Sequence, residues 1–285
     1  METFNVPSWT MNIIYDGTFR NCYNLTRIPD TSTVNTIGKE SFLNCRSLEA
    51  FNTDNLITVR DRAFKGCTKL KISNTNIIKT IGIESFKQCS SITKFNFLSC
   101  TSIGESAFES CSISGTLIMN NTFYTIPPNA FKDNKISVLY LRRCNIEFGA
   151  FSDNNELKTL YLDTISLRDR SFFNSTNIKT IYLDGVNFFY ENSFDSIHIC
   201  AYYNGTNDYS HDTTIRIMQR VTITMFVTEK YVYRKFCNMN ITRLESTSIC
   251  PIFIPYLFHC SNECSTFPYF YHAISFTTLL LGLEL

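Results

Sequence analysis

A phenylalanine that returns once every 20 to 23 residues constrains this chain more than any other feature. Phe19, Phe42, Phe64, Phe86, Phe108, Phe131, Phe151, Phe172 and Phe194 follow one another at 23, 22, 22, 22, 23, 20, 21 and 22 residues. Five residues before each stands an apolar side chain: Ile14, Ile37, Val59, Ile81, Ile103, Ile126, Ile146, Leu167 and Phe189. Three residues after the first five stands a cysteine (Cys22, Cys45, Cys67, Cys89, Cys111), and Asn134 and Asn154 take that place in the next two copies. A unit of about 22 residues cannot bury its own apolar face, so neighbouring units must stack and share one core. The fold class that follows is a repeat solenoid of about nine coils.

Each coil then opens an extended segment on an apolar residue: Leu25, Leu48, Leu70, Ile92, Ile113, Ile136, Leu157 and Ile178. The clearest are ISVLYL (Ile136–Leu141), LKTLYL (Leu157–Leu162) and IKTIYL (Ile178–Leu183), each reading L-x-x-L-x-L, the strand signature of a leucine-rich repeat. Alternation turns the paired leucines inward and the residue between them outward. Parallel strands therefore form one face, and the phenylalanines sit on short helical or turn segments of the other and fill the same core. The string IGIESFKQCSSI, Ile81–Ile92, resembles the BspA-like leucine-rich repeats, found in bacterial surface proteins and expanded in parasitic protists such as trichomonads and amoebae. The resemblance covers roughly residues 13–197. It implies a protein-binding or adhesion protein displayed at a cell surface, including host-cell attachment.

Residues 1–12 read as an N-terminal cap with Trp9 as its plug, 13–197 as the repeats, and 198–245 as an irregular C-terminal cap. Within that cap, Val221–Val227 alternates like a strand, and Tyr231, Tyr233 and Phe236 are candidates to close the core. Residues 246–285 form an apolar, cysteine-bearing tail whose charges are only Glu263 and Glu284. Its uncharged stretch 264–283 is close to the length that spans a bilayer, which makes membrane association through the tail one expectation and a poorly ordered or misread gene end the other. Met1–Thr10 has neither a basic nor an apolar signal region, so no cleavable secretory signal is expected. Glycosylation sequons begin at Asn24, Asn120, Asn174, Asn204 and Asn240, about as many as chance gives in a chain this rich in Asn, Ser and Thr, so the compartment stays open.

The formal net charge is +1, without the clustered basic residues that phosphate neutralisation needs, so nucleic acid is not an expected partner. The repeat cysteines support a metal or disulfide ladder on one reading and a compact buried residue at a turn on the other, with Cys100 and Cys144 at another structural position of the repeat. In the tail, Cys250, His259, Cys260, Cys264 and His272 lack the paired spacings of a zinc site. The four histidines, His198, His211, His259 and His272, lie outside the regular repeats, and no nucleophile, phosphate-loop or dinucleotide motif occurs. No enzyme activity, catalytic residue, metal or cofactor is expected.

The outward strand positions are Lys94 and Asn96; Val138, Tyr140 and Arg142; Thr159, Tyr161 and Asp163; and Thr180, Tyr182 and Asp184. Tyr140, Tyr161 and Tyr182 recur at one place in three successive coils and should form a ladder flanked by Arg142, Asp163 and Asp184. Such a ladder serves either as a contact surface for a protein or glycan partner or as cross-strand stacking that stabilises the sheet. The alternatives to a surface adhesin are an intracellular scaffold of the same fold in the cytoplasm and a decayed copy without function.

Overall fold

In the computed structural model the residues described are 11–119, 125–163, 166–183, 188–189, 193–194, 198–203, 222–227, 234–236 and 239–243. Trp9, Tyr231, Tyr233, Asp184 and the whole tail with its cysteines, histidines and the stretch 264–283 lie outside them. The chain is a right-angled stack of coils with no helix among the described residues, so the phenylalanine wall is made of turns.

The first five strands are β1 (Ile13–Ile14), β2 (Thr36–Ile37), β3 (Thr58–Val59), β4 (Thr80–Ile81) and β5 (Ser102–Ile103). Longer and shorter strands then alternate: β6 (Ser114–Met119), β7 (Thr125–Ile126), β8 (Lys135–Arg142), β9 (Asn145–Ile146), β10 (Thr159–Asp163), β11 (Ser166–Leu167), β12 (Thr180–Leu183) and β13 (Phe188–Phe189). The last four are β14 (His198–Tyr203), β15 (Thr222–Val227), β16 (Lys235–Phe236) and β17 (Met239–Arg243). The short strands form two parallel ladders, β1-β2-β3-β4-β5 and β13-β11-β9-β7, and the long ones an eight-stranded sheet ordered β16-β17-β15-β14-β12-β10-β8-β6. The apolar residue five before each Phe thus closes a two-residue strand of its own, a second strand line that the L-x-x-L-x-L pattern did not indicate. The parallel ladder also runs on through β14, β15 and β17, within residues read from the sequence as an irregular cap, and only β16 turns back antiparallel.

The core is one continuous column. Successive phenylalanine rings from Phe19 to Phe194 stack at centroid distances of 5.1 to 5.5 Å with planes within 14°. Phe42 through Phe172 in this series are fully buried. Each column amide donates to the next coil, as in Phe42 N to Ala63 O (2.8 Å) and Phe131 N to Ala150 O (2.8 Å), so the turn wall carries its own backbone ladder. Two left-handed residues bracket the ring in each coil. Glu40, Arg62, Glu84, Ser106, Asn129 and Arg170 lie two before it and Asn21, Asn44, Gln88, Ser110, Asp133, Asp153 and Asn174 two after, at φ between 51° and 64°. Non-glycine residues rarely adopt this region unless surrounding structure enforces it; here the enforcement is the ring column and its ladder.

The glycine of the IGxxSF string has a steric reason. A Cβ on Gly82 would lie 2.6 Å from Asp61 Oδ1 and 2.5 Å from the Asp61 amide nitrogen. That close approach lets the Asp61 carboxylate accept the Ile83 N–H at 2.9 Å. Gly38 receives Asp16 in the same way, with the Lys39 amide donating to Asp16 Oδ1 at 2.7 Å.

Candidate functional site: the tyrosine face of the long sheet

In-register pairing fixes the face. Tyr140 pairs with Tyr161 and Tyr161 with Tyr182 across β8, β10 and β12, so equivalent side chains stand one strand spacing apart. The Tyr140 and Tyr161 rings stack at 4.2 Å and 2°, and Tyr161 and Tyr182 at 4.6 Å and 6°. The stack continues through Tyr182–Tyr202 at 5.1 Å and Tyr202–Phe226 at 5.0 Å, giving a five-ring ridge. Tyr202 and Phe226 are the members that sequence reasoning missed. Tyr202 follows Tyr182 by 20 residues, within the repeat period, and that spacing was the signal available.

Exposure changes along the ridge. Tyr140 and Tyr161 are partly exposed, whereas Tyr182 (7%), Tyr202 (8%) and Phe226 (7%) are buried against one another. Thr180 beside Tyr182 is buried too, while Val138 and Thr159 are partly exposed. Arg142 Nε stands 3.6 Å from Asp163 Oδ2 at the end of β8 and β10, a half-exposed pair next to the open end of the ridge. The Tyr161 phenol is held well above its ordinary range, first by burial and then by the neighbouring Tyr140 and Tyr182, so it stays protonated and acts as a neutral hydrogen-bonding group. The accessible chemistry is therefore two flat aromatic edges with hydroxyl tips, a guanidinium and a carboxylate. Lys94 and Asn96 are exposed, but their segment is not a strand, so they do not extend this sheet.

The repeat cysteines occupy a different kind of site. Cys45, Cys67, Cys89 and Cys111 are buried, and each thiol donates to the carbonyl of the preceding coil's phenylalanine, as in Cys67 to Phe42 O at 3.1 Å and Cys89 to Phe64 O at 3.0 Å. Asn134 makes the same bond to Phe108 O (2.8 Å), Asn154 to Phe131 O (2.9 Å) and Ser175 to Phe151 O (3.0 Å). Any small donor serves there, which explains the change from Cys to Asn to Ser. Burial above all pushes the thiols of Cys45, Cys100, Cys111 and Cys144 up to about 12, and the reactive thiolate is suppressed. Among the described residues no three His, Cys, Asp or Glu side chains stand close enough to hold a metal ion, and no helix is long and apolar enough to cross a membrane.

One L-x-x-L-x-L strand per coil, a parallel sheet and a shared ring column define a leucine-rich-repeat solenoid. Within that class, the profile of the BspA type leucine rich repeat region matches six copies over residues 12–137 and 79–200, and the chain belongs to this family. No curated protein matches the chain. Among solved structures, a leucine-rich repeat protein from Bacteroides ovatus ATCC 8483 is 16% identical over 86% of this chain and 90% of its own, with a TM-score of 0.44. A leucine rich cell surface protein from Faecalibacterium prausnitzii A2-165 is 17% identical over 73% of this chain and 76% of its own, with a TM-score of 0.38.

Proposed function

We propose that this chain is a non-enzymatic binding protein displayed at a cell surface, where the open end of its tyrosine ridge takes a protein or glycan partner, including one on a host cell or matrix. The observation that carries the reading is the partly exposed Tyr140–Tyr161 stack beside the Arg142–Asp163 pair. Tyrosine and arginine concentrate binding energy because they bury large area at small entropic cost while keeping a polar tip. The buried Tyr182, Tyr202 and Phe226 brace the two exposed rings from one side, so little ordering is left to be done on binding. Asp184, outside the described residues, belongs to the same flank by register.

Placement outside the cell draws support from membership of the BspA type family. It also draws support from Cys200 in β14, which is disulfide-bonded, since disulfides persist in oxidising compartments. Antibody labelling of intact and permeabilised cells tests the placement. Signal on intact cells is expected; signal only after permeabilisation contradicts it and favours the intracellular scaffold. The site is tested by binding of the purified chain to cell monolayers and matrix. Replacing Tyr140 and Tyr161 together by Ser should weaken attachment by about tenfold or more, and unchanged attachment would remove the ridge from the account.

A further inference from the structure

The turn wall follows a charge rule that two of its coils break together. Glu40 bridges Arg20 (3.0 Å) and Arg62 (3.1 Å). Glu84 holds Lys65 (2.8 Å) and Lys87 (3.2 Å), and Lys87 reaches Glu109 (2.9 Å). Cations two before or one after a column phenylalanine are thus met by carboxylates one coil away or within their own turn. Arg170 stands two before Phe172, as Arg62 stands two before Phe64. Where Arg62 finds Glu40 in the preceding coil, Arg170 finds Gly149.

The neighbours of Arg170 are aromatic instead. Phe148 occupies the place that Asp16, Asp61 and Glu105 hold in other coils and is 45% exposed, and Phe173 occupies that of Lys65, Lys87 and Lys132 and is 41% exposed. The Arg170 guanidinium carbon lies over both rings, 5.9 Å from the Phe148 centroid and 5.3 Å from that of Phe173. Its ion contact among the described residues is with Asp169 at 3.9 Å, longer than a hydrogen bond. The nearby Glu147 is already engaged by Arg168 at 3.7 Å. A guanidinium held against ring faces keeps its planar edge of N–H donors turned to solvent, the geometry that reads a carboxylate in two parallel bonds.

We propose that Phe148, Arg170 and Phe173 form a second contact surface, on the turn wall, for a protein segment that presents a carboxylate next to an apolar or aromatic side chain. The carboxylate takes the donor edge of Arg170, and its neighbour covers Phe148 and Phe173. Glu147 and Asp169 keep the patch locally neutral, so recognition is short-range and depends on the fork more than on long-range attraction. The site is independent of the tyrosine ridge.

The test uses random dodecapeptides displayed on phage, panned against the purified full chain, with the selected peptides then synthesised and titrated. Enrichment of Asp or Glu beside Phe, Tyr, Trp or Leu is expected. Affinity should fall about tenfold in R170Q and be only partly restored in R170K, which keeps the charge and loses the fork. F148S/F173S should abolish binding, and replacing Tyr140 and Tyr161 by Ser should leave it unchanged. Selected peptides without acidic residues, or equal affinity for R170Q and F148S/F173S, would overturn the proposal. Concentration-dependent dimerisation of the wild-type chain that R170Q removes would assign the patch to a second copy, and so would overturn it too.

Discussion

The coils before residue 113 and those after it solve the same closure problem with different chemistry on the strand wall. In the later coils the segment reads L-x-x-L-Y-L, as in Leu157–Leu162, and pairs as full strands such as β8 with β10 over five residues in register. In the earlier coils it reads Leu48-x-x-Phe51-Asn52-Thr53 and Leu70-x-x-Ser73-Asn74-Thr75, and a single bridge, Ala50 with Lys71, is what remains of the sheet there. Asn52 Oδ1 accepts the Asp54 N–H at 2.8 Å and Asn96 Oδ1 that of Leu98 at 2.8 Å, turning the chain where a strand would continue. Buried Thr53 and Thr75, standing where Leu162 and Leu183 stand later, then tie the coils by side chain: Thr53 Oγ1 donates to Asn74 O at 2.8 Å and Thr75 Oγ1 accepts the Asn96 N–H at 2.7 Å. The exchange of Asn-Thr for Tyr-Leu removes the backbone ladder and the aromatic ridge in one step. A presenting face therefore exists only in the later half, and the earlier half acts as a spacer whose surface charges are largely paired internally.

The ring column is what the halves share, so breaking it at their boundary should have the largest effect. Phe108→Ala removes a fully buried ring that stacks on Phe86 and Phe131 and meets Phe95 and Phe97 edge-on. It should cost about 3–5 kcal/mol in denaturant unfolding, and coils on both sides should lose stability together. A loss confined to one side would show that the column does not couple them.

The donor position after each Phe sharpens the contrast at lower energy. Asn154 bonds the carbonyls of Phe131, Phe151 and Ser152, so Asn154→Ala should cost about 2 kcal/mol. Cys89 offers one weak thiol donor, and Cys89→Ala should cost about 1 kcal/mol. Equal losses would mean that volume alone matters at this position. Smaller still is Ser85→Ala. The Ser85 hydroxyl is buried without a hydrogen-bond partner, while Ala63, Ala107, Ala130 and Ala150 fill the same place in other coils. The substitution should be neutral or stabilising by up to about 1 kcal/mol.

The smallest effect is a pH dependence confined to the earlier half. Burial works to raise the Glu84 carboxyl, but hydrogen bonds from Lys65 and Lys87 outweigh it and hold the group below its ordinary range. A depressed folded value means the stabilisation is complete above the unfolded value of about 4.3 and is lost as pH falls through the folded one. Stability measured across that window should lose this component in Glu84→Gln, and an unchanged profile would show that the ion pairs add nothing.

Much of this was legible in the sequence because packing demanded one chemistry. Only an aromatic ring fills the column, so Phe19 to Phe194 announced the coils, and Tyr140, Tyr161 and Tyr182 announced their stack. The bracketing left-handed turns were not legible, since Glu40, Arg62, Ser106 and Gln88 share nothing that marks the conformation; the ladder imposes it. The second strand line hid in two-residue pairs such as Thr36–Ile37, too short for alternation to register. Tyr202 and Phe226 were lost because the spacing from Tyr182 runs 20 and then 24 residues, so the period broke before the ridge did.

Hydrogen exchange followed by mass spectrometry on the purified chain tests the division most directly. Turn-wall amides such as Phe64 and Phe151 should exchange slowly in both halves. On the strand wall, Val138–Leu141 and Leu160–Leu162 should be protected, while Ile72–Asn74 and Thr93–Phe95 exchange far faster. Equal protection of the two strand walls would contradict the account, because it would require a continuous sheet through the Asn-Thr coils.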